Sequence, residues 1–171
     1  MSTTEYLKFK KASPEVQELA LWVEWLKKDG RGERADLRRC GTLKEILFSP
    51  AYHRLRLAFR RLGFIDDNCL AMVTGLAARI KDDDSNGSFA EQMASGKGDG
   101  SARVSGLRFR RLLKIKEQED LFSALIRIIA LLGGCANLQS LARSVYLWND
   151  RYIDIRKEWA FDYYSKAPNE Q

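Results

Sequence analysis

Cations at helical spacing are the chemically suggestive feature of this sequence. Residues 103–116 carry Arg103, Arg108, Arg110, Arg111, Lys114 and Lys116 and no acid. Residues 31–61 hold nine basic residues against three acidic ones, Glu33, Asp36 and Glu45. Each segment is net +6; the whole chain is also +6, so everything outside them sums to −6. Charge this uneven points to a polyanionic partner, and arginine outnumbers lysine in both segments, as phosphate recognition favours. Arg108 and Arg111 lie three residues apart and Arg110 and Lys114 four apart. On a helix they flank the apolar stripe of Phe109, Leu112 and Leu113 from both sides. Arg34 and Arg38 repeat the four-residue spacing, with Arg39 beside them. Regularly spaced cations on rigid helices track a phosphate backbone without reading bases. The competing reading is that arginine-rich helices solvate themselves and pair with acids elsewhere.

No catalytic set accompanies these cations. Gly96-x-Gly98-x-Gly100 follows no strand and lacks the Gly-Lys-Ser/Thr ending of a phosphate loop, so it reads as a polar loop. Asp82-Asp83-Asp84 lacks the spaced ligands and closing Glu of a calcium loop and reads as an exposed acidic turn. His53 is the only histidine and has no nucleophile placed by a known motif. Cys40, Cys69 and Cys135 are odd in number and far apart, which fits reduced thiols better than disulfides or a zinc site. A non-enzymatic protein without metal or cofactor is expected. Trp22, Trp25, Trp148, Trp159, Tyr163 and Tyr164 have the π-faces to stack on bases, but most lie on apolar stripes and core packing is the stronger reading.

The elements that must position the cations read as helices throughout. Ser13-Pro14 opens the first, with Val16, Leu19, Ala20, Val23 and Leu26 at helical spacing until Asp29-Gly30. A short basic helix is expected near Glu33–Cys40, and the capping-box sequence Thr42-Leu43-Lys44-Glu45 opens another. Ser49-Pro50 begins the next, and Asp66 or Asp67 caps a helix striped with Cys69, Val73, Leu76 and Ile80. Later helices are expected at Gly106–Ile115 behind a Ser105 cap, at 118–133, behind Asn137, and from Asn149-Asp150 through Tyr163. No segment alternates well enough to be a strand. The expected fold is all-α, a compact bundle of about eight helices in two packed halves. An N-terminal half spans 1–81 and a C-terminal half 103–171, joined by a flexible connection at 82–102 with a short helix over Phe89–Ala94. The stretch Met1–Lys11 has no apolar signal-like run, and apolar runs such as 121–132 fall short of the roughly 20 residues a membrane span needs, so a cytoplasmic location is expected.

In order and spacing these features resemble the CasB family, the small subunit of the type I-E CRISPR complex Cascade. The resemblance rests on Trp22-Val23-Glu24-Trp25-Leu26 followed by Arg34-Ala35-Asp36-Leu37-Arg38-Arg39. It continues through Ser105-x-x-Arg108-Phe109-x-x-Leu112-Leu113 and Leu125-Ile126-Arg127-Ile128-Ile129. It closes on Leu141-Ala142-Arg143 to Leu147-Trp148, Arg151 and the helix Arg156–Tyr164. The loop at 82–102 departs from the pattern in length and glycine content. The resemblance implies an all-α subunit that pairs with a second copy, joins other Cascade subunits and lends a basic surface to the displaced, single-stranded non-target DNA. Duplex DNA and guide RNA are further nucleic-acid partners on this reading. It implies strand contacts at Arg38, Arg39, Arg108, Arg111, Lys114, Arg127, Arg143 and Arg151, beside the Arg34 of the spacing argument. For the internal Arg127 and Arg143 the competing role is an ion pair across the bundle. Two other functions compete: a scaffold whose basic faces dock on partner subunits, and a helical regulator of duplex DNA. The second would need a helix presenting Asn, Gln or Arg to base edges, and 106–115 has no polar readers apart from its arginines, which argues mildly against it.

Overall fold

Local caps set most of the helix starts in the computed structural model, which describes residues 6–167 and 169–170. The Ser13 hydroxyl accepts from the Val16 amide at 3.4 Å ahead of Pro14 and opens α1 (Pro14–Lys28). After α2 (Arg31–Arg39), Thr42 accepts from the Glu45 amide at 3.3 Å and starts α3 (Leu43–Leu47). The Glu45 carboxylate takes the Thr42 hydroxyl instead of its main-chain N–H, so the expected capping box is half formed. Pro50 begins α4 (Pro50–Phe59), and Asp66 accepts from the Cys69 amide at 3.0 Å to open α5 (Asp67–Ala77). A cap of this kind stabilises a helix by about 1 kcal/mol.

From Leu70 to Ala77 every residue of α5 is buried. Such a helix must be covered on all sides, and α3, α4, α8 (Gln118–Leu131) and α9 (Leu138–Tyr146) pack around it. Thr74, its one buried hydroxyl, donates back to the Leu70 carbonyl at 2.7 Å. Gly75 lets α8 and α3 close in: a Cβ there would stand 2.7 Å from the Phe122 ring and 2.9 Å from Ile46 Cδ1.

The remaining elements fold around this centre. α6 (Phe89–Ala94) packs on α10 (Ile155–Lys166), with the Phe89 and Trp159 rings 5.6 Å apart. Its Ser88 and Glu91 form both bonds of a capping box. α7 (Gly106–Leu113) lays Phe109 flat on Tyr163 of α10, ring centres 3.9 Å apart and planes 7° from parallel. Ahead of α1, Phe9 is inserted between Phe59 of α4 and Tyr146 of α9, with φ +51. The buried Glu15 carboxylate holds that turn by accepting from the Lys8 and Phe9 amides.

The described residues form ten helices, the short α3 and α6 among them, and the all-α class stands. One feature departs from the strand-free expectation. β1 (Asp82–Asp83) pairs in parallel with β2 (Cys135–Ala136). Two residues are too few to show alternation, and the pairing is set instead by Gly134, whose carbonyl accepts from Lys81 and Asp82. The acidic run is part of this ladder: Asp83 accepts from the Leu138 amide at 3.0 Å and so braces the start of α9. Among the described residues no helix is long and apolar enough to cross a membrane.

Candidate nucleic-acid interface

The clearest cationic surface is on α7. Phe109 and Leu112 are buried against the body, while Leu107, Arg108, Arg111 and the C-cap residue Lys114 face outward. The Ser105 hydroxyl accepts from the Arg108 amide at 3.3 Å, so the same residue that starts the helix sets the phase of its arginines. Arg108, Arg111 and Lys114 make no ion pair or side-chain hydrogen bond among the described residues. Arg110 differs from the expected symmetric flank. It is half-buried near the Gly106 backbone and Glu170, leaving the free cations on one face.

The other predicted contacts fall into two groups. Arg38, Arg127 and Arg151 are exposed and unpaired among the described residues. Arg127 therefore has no acid across the bundle among the described residues. Arg39 is exposed and pairs with Asp36 at 2.7 Å, a contact open to water on both sides that contributes little. Arg34 and Arg143 have internal work. Arg34 donates to the Ala78 and Ile80 carbonyls, both at 3.1 Å, closing the C-terminal end of α5. Burial there, with the Arg38 charge, pulls its pKa below the ordinary arginine value. Arg143 forms a two-pronged pair with Glu158 at 2.8 and 3.2 Å, joining α9 to α10. It lines a cleft of about 1000 Å³ in which Asp154, Glu158 and Asp162 offset Lys10, Lys11 and Lys157.

Sequence reasoning missed three structural arginines. Arg79 donates to the Gly75, Arg38 and Cys40 carbonyls, and burial depresses its pKa. Arg56 pairs with Asp67 at 2.7 Å; the hydrogen bond from Arg56 holds the Asp67 carboxyl below its ordinary range. Arg156 donates to the Leu113, Ile115 and Trp148 carbonyls and to Asn149. Their acceptors are mostly main-chain carbonyls of distant segments, which no spacing pattern reveals.

The aromatics are mainly core. Trp22, Trp148 and Trp159 are buried and each indole N–H is satisfied, by Ala51, Ile115 and Ser144 respectively. Trp25 is half-buried beneath Arg54, whose guanidinium lies 4.1 Å from its ring centre. His53 donates to the Leu47 carbonyl at 2.8 Å. The 96–102 loop turns back on itself, with Lys97 donating to the Ser101 carbonyl and Asp99 accepting from Ser101. Among the described residues no group of His, Cys, Asp and Glu is arranged to hold a metal.

A family model described as CRISPR-associated protein Cse2 matches residues 33–164. Among solved structures, a chain from the crystal structure of E. coli Cascade bound to a PAM-containing dsDNA target superposes with a TM-score of 0.68. The match covers 90% of this chain and 95% of that one at 18% identity, a likeness of fold. No curated protein matches the sequence.

Proposed function

Because the chain belongs to the CRISPR-associated Cse2 family, we propose that it is a non-enzymatic, cytoplasmic subunit of a type I-E Cascade complex that holds the displaced non-target DNA strand. The observation that supports this most is the outward face of α7, where Arg108, Arg111 and Lys114 stand unpaired among the described residues on a helix fixed by its buried opposite face. Apart from its arginines that face carries no polar side chain to read base edges, and on this reading its cations contact phosphates without regard to sequence. Arg38, Arg39, Arg127 and Arg151 extend the proposed contacts. Arg34 and Arg143 serve chiefly to brace the fold.

The physical role follows from the energetics of strand exchange. A guide–target heteroduplex is about as stable as the DNA duplex it replaces, so modest contacts to the displaced strand tip the balance toward the open R-loop. Other Cascade subunits and a second copy of this chain are the proposed protein partners.

Titrating the full chain into labelled single-stranded and duplex DNA at several salt concentrations tests the reading. Sequence-independent binding of the single strand with a steep salt slope, lost on Arg108→Glu/Arg111→Glu, is expected. A folded double variant that binds like wild type would remove α7 from the interface. The competing role is a scaffold that touches no nucleic acid, and the high exposure of Phe48 (76%) and Tyr152 (89%) suits protein partners. No binding at low salt would favour it.

A further inference from the structure

A second basic surface lies around the end of α7. A cleft of about 630 Å³ is lined by Leu113, Lys114, Lys116, Asn149 and Arg156, three cations and no carboxylate. The neighbouring groove shares Lys116 and Asn149 but adds Glu117 and Glu119 together with Lys44. The lining thus changes from purely cationic to mixed at the start of α8.

We propose that this cleft continues the path of a bound single strand beyond α7, that Lys114 and Lys116 hold its phosphates, and that the carboxylates at the start of α8, Glu117 ahead of it and Glu119 within it, end the path. This deepens the strand-holding reading and rests on it.

The cleft is built before any ligand arrives. Arg156 donates to the carbonyls of Leu113 at 3.1 Å and Ile115 at 2.8 Å, and Asn149 donates to that of Lys116 at 3.1 Å. Trp148 donates to Ile115 as well, at 2.9 Å. Three of the four residues from 113 to 116 are held through their carbonyls, so the backbone bearing both lysines is already ordered, which lowers the entropic cost of binding. Lys114 and Lys116 are exposed and form no ion pair among the described residues. Half-buried Leu113 and the lysine stems give the cleft an apolar wall suited to a sugar or base face. A flexible strand can follow a concave path from the α7 face into this cleft, whereas duplex phosphates are fixed on a convex cylinder.

The acidic boundary has one free member. Glu119 accepts from the Leu43 amide at 2.9 and 3.2 Å and is tied to α3. Glu117 is exposed and has no cationic partner among the described residues. It therefore repels the next phosphate, and removing its charge should lengthen the path.

The experiment compares wild type, Lys116→Ala, Glu117→Gln and Arg108→Ala by fluorescence anisotropy, using a labelled oligothymidylate and a matched duplex over a salt series. The Lys116 side chain is exposed, so Lys116→Ala should fold normally, which circular dichroism checks. Lys116→Ala should weaken single-strand binding roughly threefold at low salt and lower the salt slope by about 0.7, with a smaller effect on the duplex. Glu117→Gln should tighten single-strand binding roughly twofold. If Arg108→Ala weakens binding while both cleft variants match wild type, the cleft is excluded and the strand-holding reading survives. Equal losses on single strand and duplex for Lys116→Ala overturn the single-strand path. If wild type binds neither nucleic acid, both proposals fail together.

Discussion

The Arg156 guanidinium lies 4.5 Å from the centre of the Trp148 ring and donates to the main-chain carbonyl of the same tryptophan at 3.0 Å. Trp148 in turn donates to Ile115, whose carbonyl Arg156 also binds. The first turn of α10, the segment just after α9 and the end of α7 with the connection that follows it thus meet on one planar cation. Only arginine has enough fixed donors to serve carbonyls in three directions while lying against a ring.

Arg156→Ala should therefore lower stability by about 2–4 kcal/mol, through lost charged hydrogen bonds and the cation–π contact. Arg156→Lys should recover less than half of that, because an ammonium is a point charge without the planar fork. Equilibrium urea unfolding measures both. An alanine variant within about 0.5 kcal/mol of wild type would show that these contacts carry no net stability.

Gly75 marks the closest approach of α5 to its neighbours. Phe122 and Ile46 both stand inside 3.0 Å of where a Cβ would sit, and both are themselves packed in the core. Gly75→Ala should destabilise by about 1–3 kcal/mol despite alanine's better helix propensity, because overpacking outweighs the gain of about 1 kcal/mol. Thermal unfolding decides it: a raised Tm would mean that the α5–α8 contact relaxes freely.

Alkaline pH should loosen the fold from its thiols first, Cys69 above all. Burial, assisted by the nearby Asp66 charge, pushes this thiol up to about 12 from an ordinary value near 9. Burial likewise raises Tyr146 and Tyr163 to about 12. In each case the folded state holds its proton more tightly than the unfolded chain, so the unfolded chain deprotonates first and stability falls as pH rises. The window opens near 9 for the thiol and near 10 for the tyrosines, and extends to about 12. Burial also raises the Cys40 thiol, so Cys69→Ala should lessen the fall between pH 9 and 10 without abolishing it, and leave the steeper part above 10. Melting temperatures over pH 8–11 would count against this ordering if the variant and wild type declined in parallel from pH 9.

What was legible in the sequence was local. Ser13, Thr42, Asp66, Ser105 and Asn137 all cap the helices they precede, because a cap depends on an amide two or three residues ahead. The apolar spacing likewise separated Phe109 and Leu112, which are buried, from Arg108 and Arg111, which are exposed. Arg34 and Arg38 look equivalent in sequence, four residues apart on one helix. Arg34 reaches carbonyls more than forty residues away, and Arg38 reaches none. The same blindness hid Arg156, whose partners at Leu113 and Ile115 lie in a different helix connection. Charge pattern locates a cationic helix, but whether a given guanidinium faces solvent or a carbonyl depends on the tertiary fold.

That difference yields a crossed prediction for the arginines. Each phosphate contact removed should lower the slope of log affinity against log salt by about 0.7 for a single strand. Arg108→Ala, Arg111→Ala and Arg127→Ala should each lower the slope while changing stability by less than about 0.5 kcal/mol, since their side chains are exposed and form no ion pair or hydrogen bond among the described residues. Arg34→Ala should do the reverse. It leaves the slope unchanged and lowers stability by about 1–3 kcal/mol, because two carbonyls at the end of α5 lose a charged donor. Arg143→Ala should resemble Arg34→Ala with a smaller loss, its pair with Glu158 being half open to water. Salt-dependent anisotropy and urea unfolding on the same five proteins separate the two groups. An Arg34 variant that lowers the slope at unchanged stability would put that side chain on the strand and reverse its assignment as a brace.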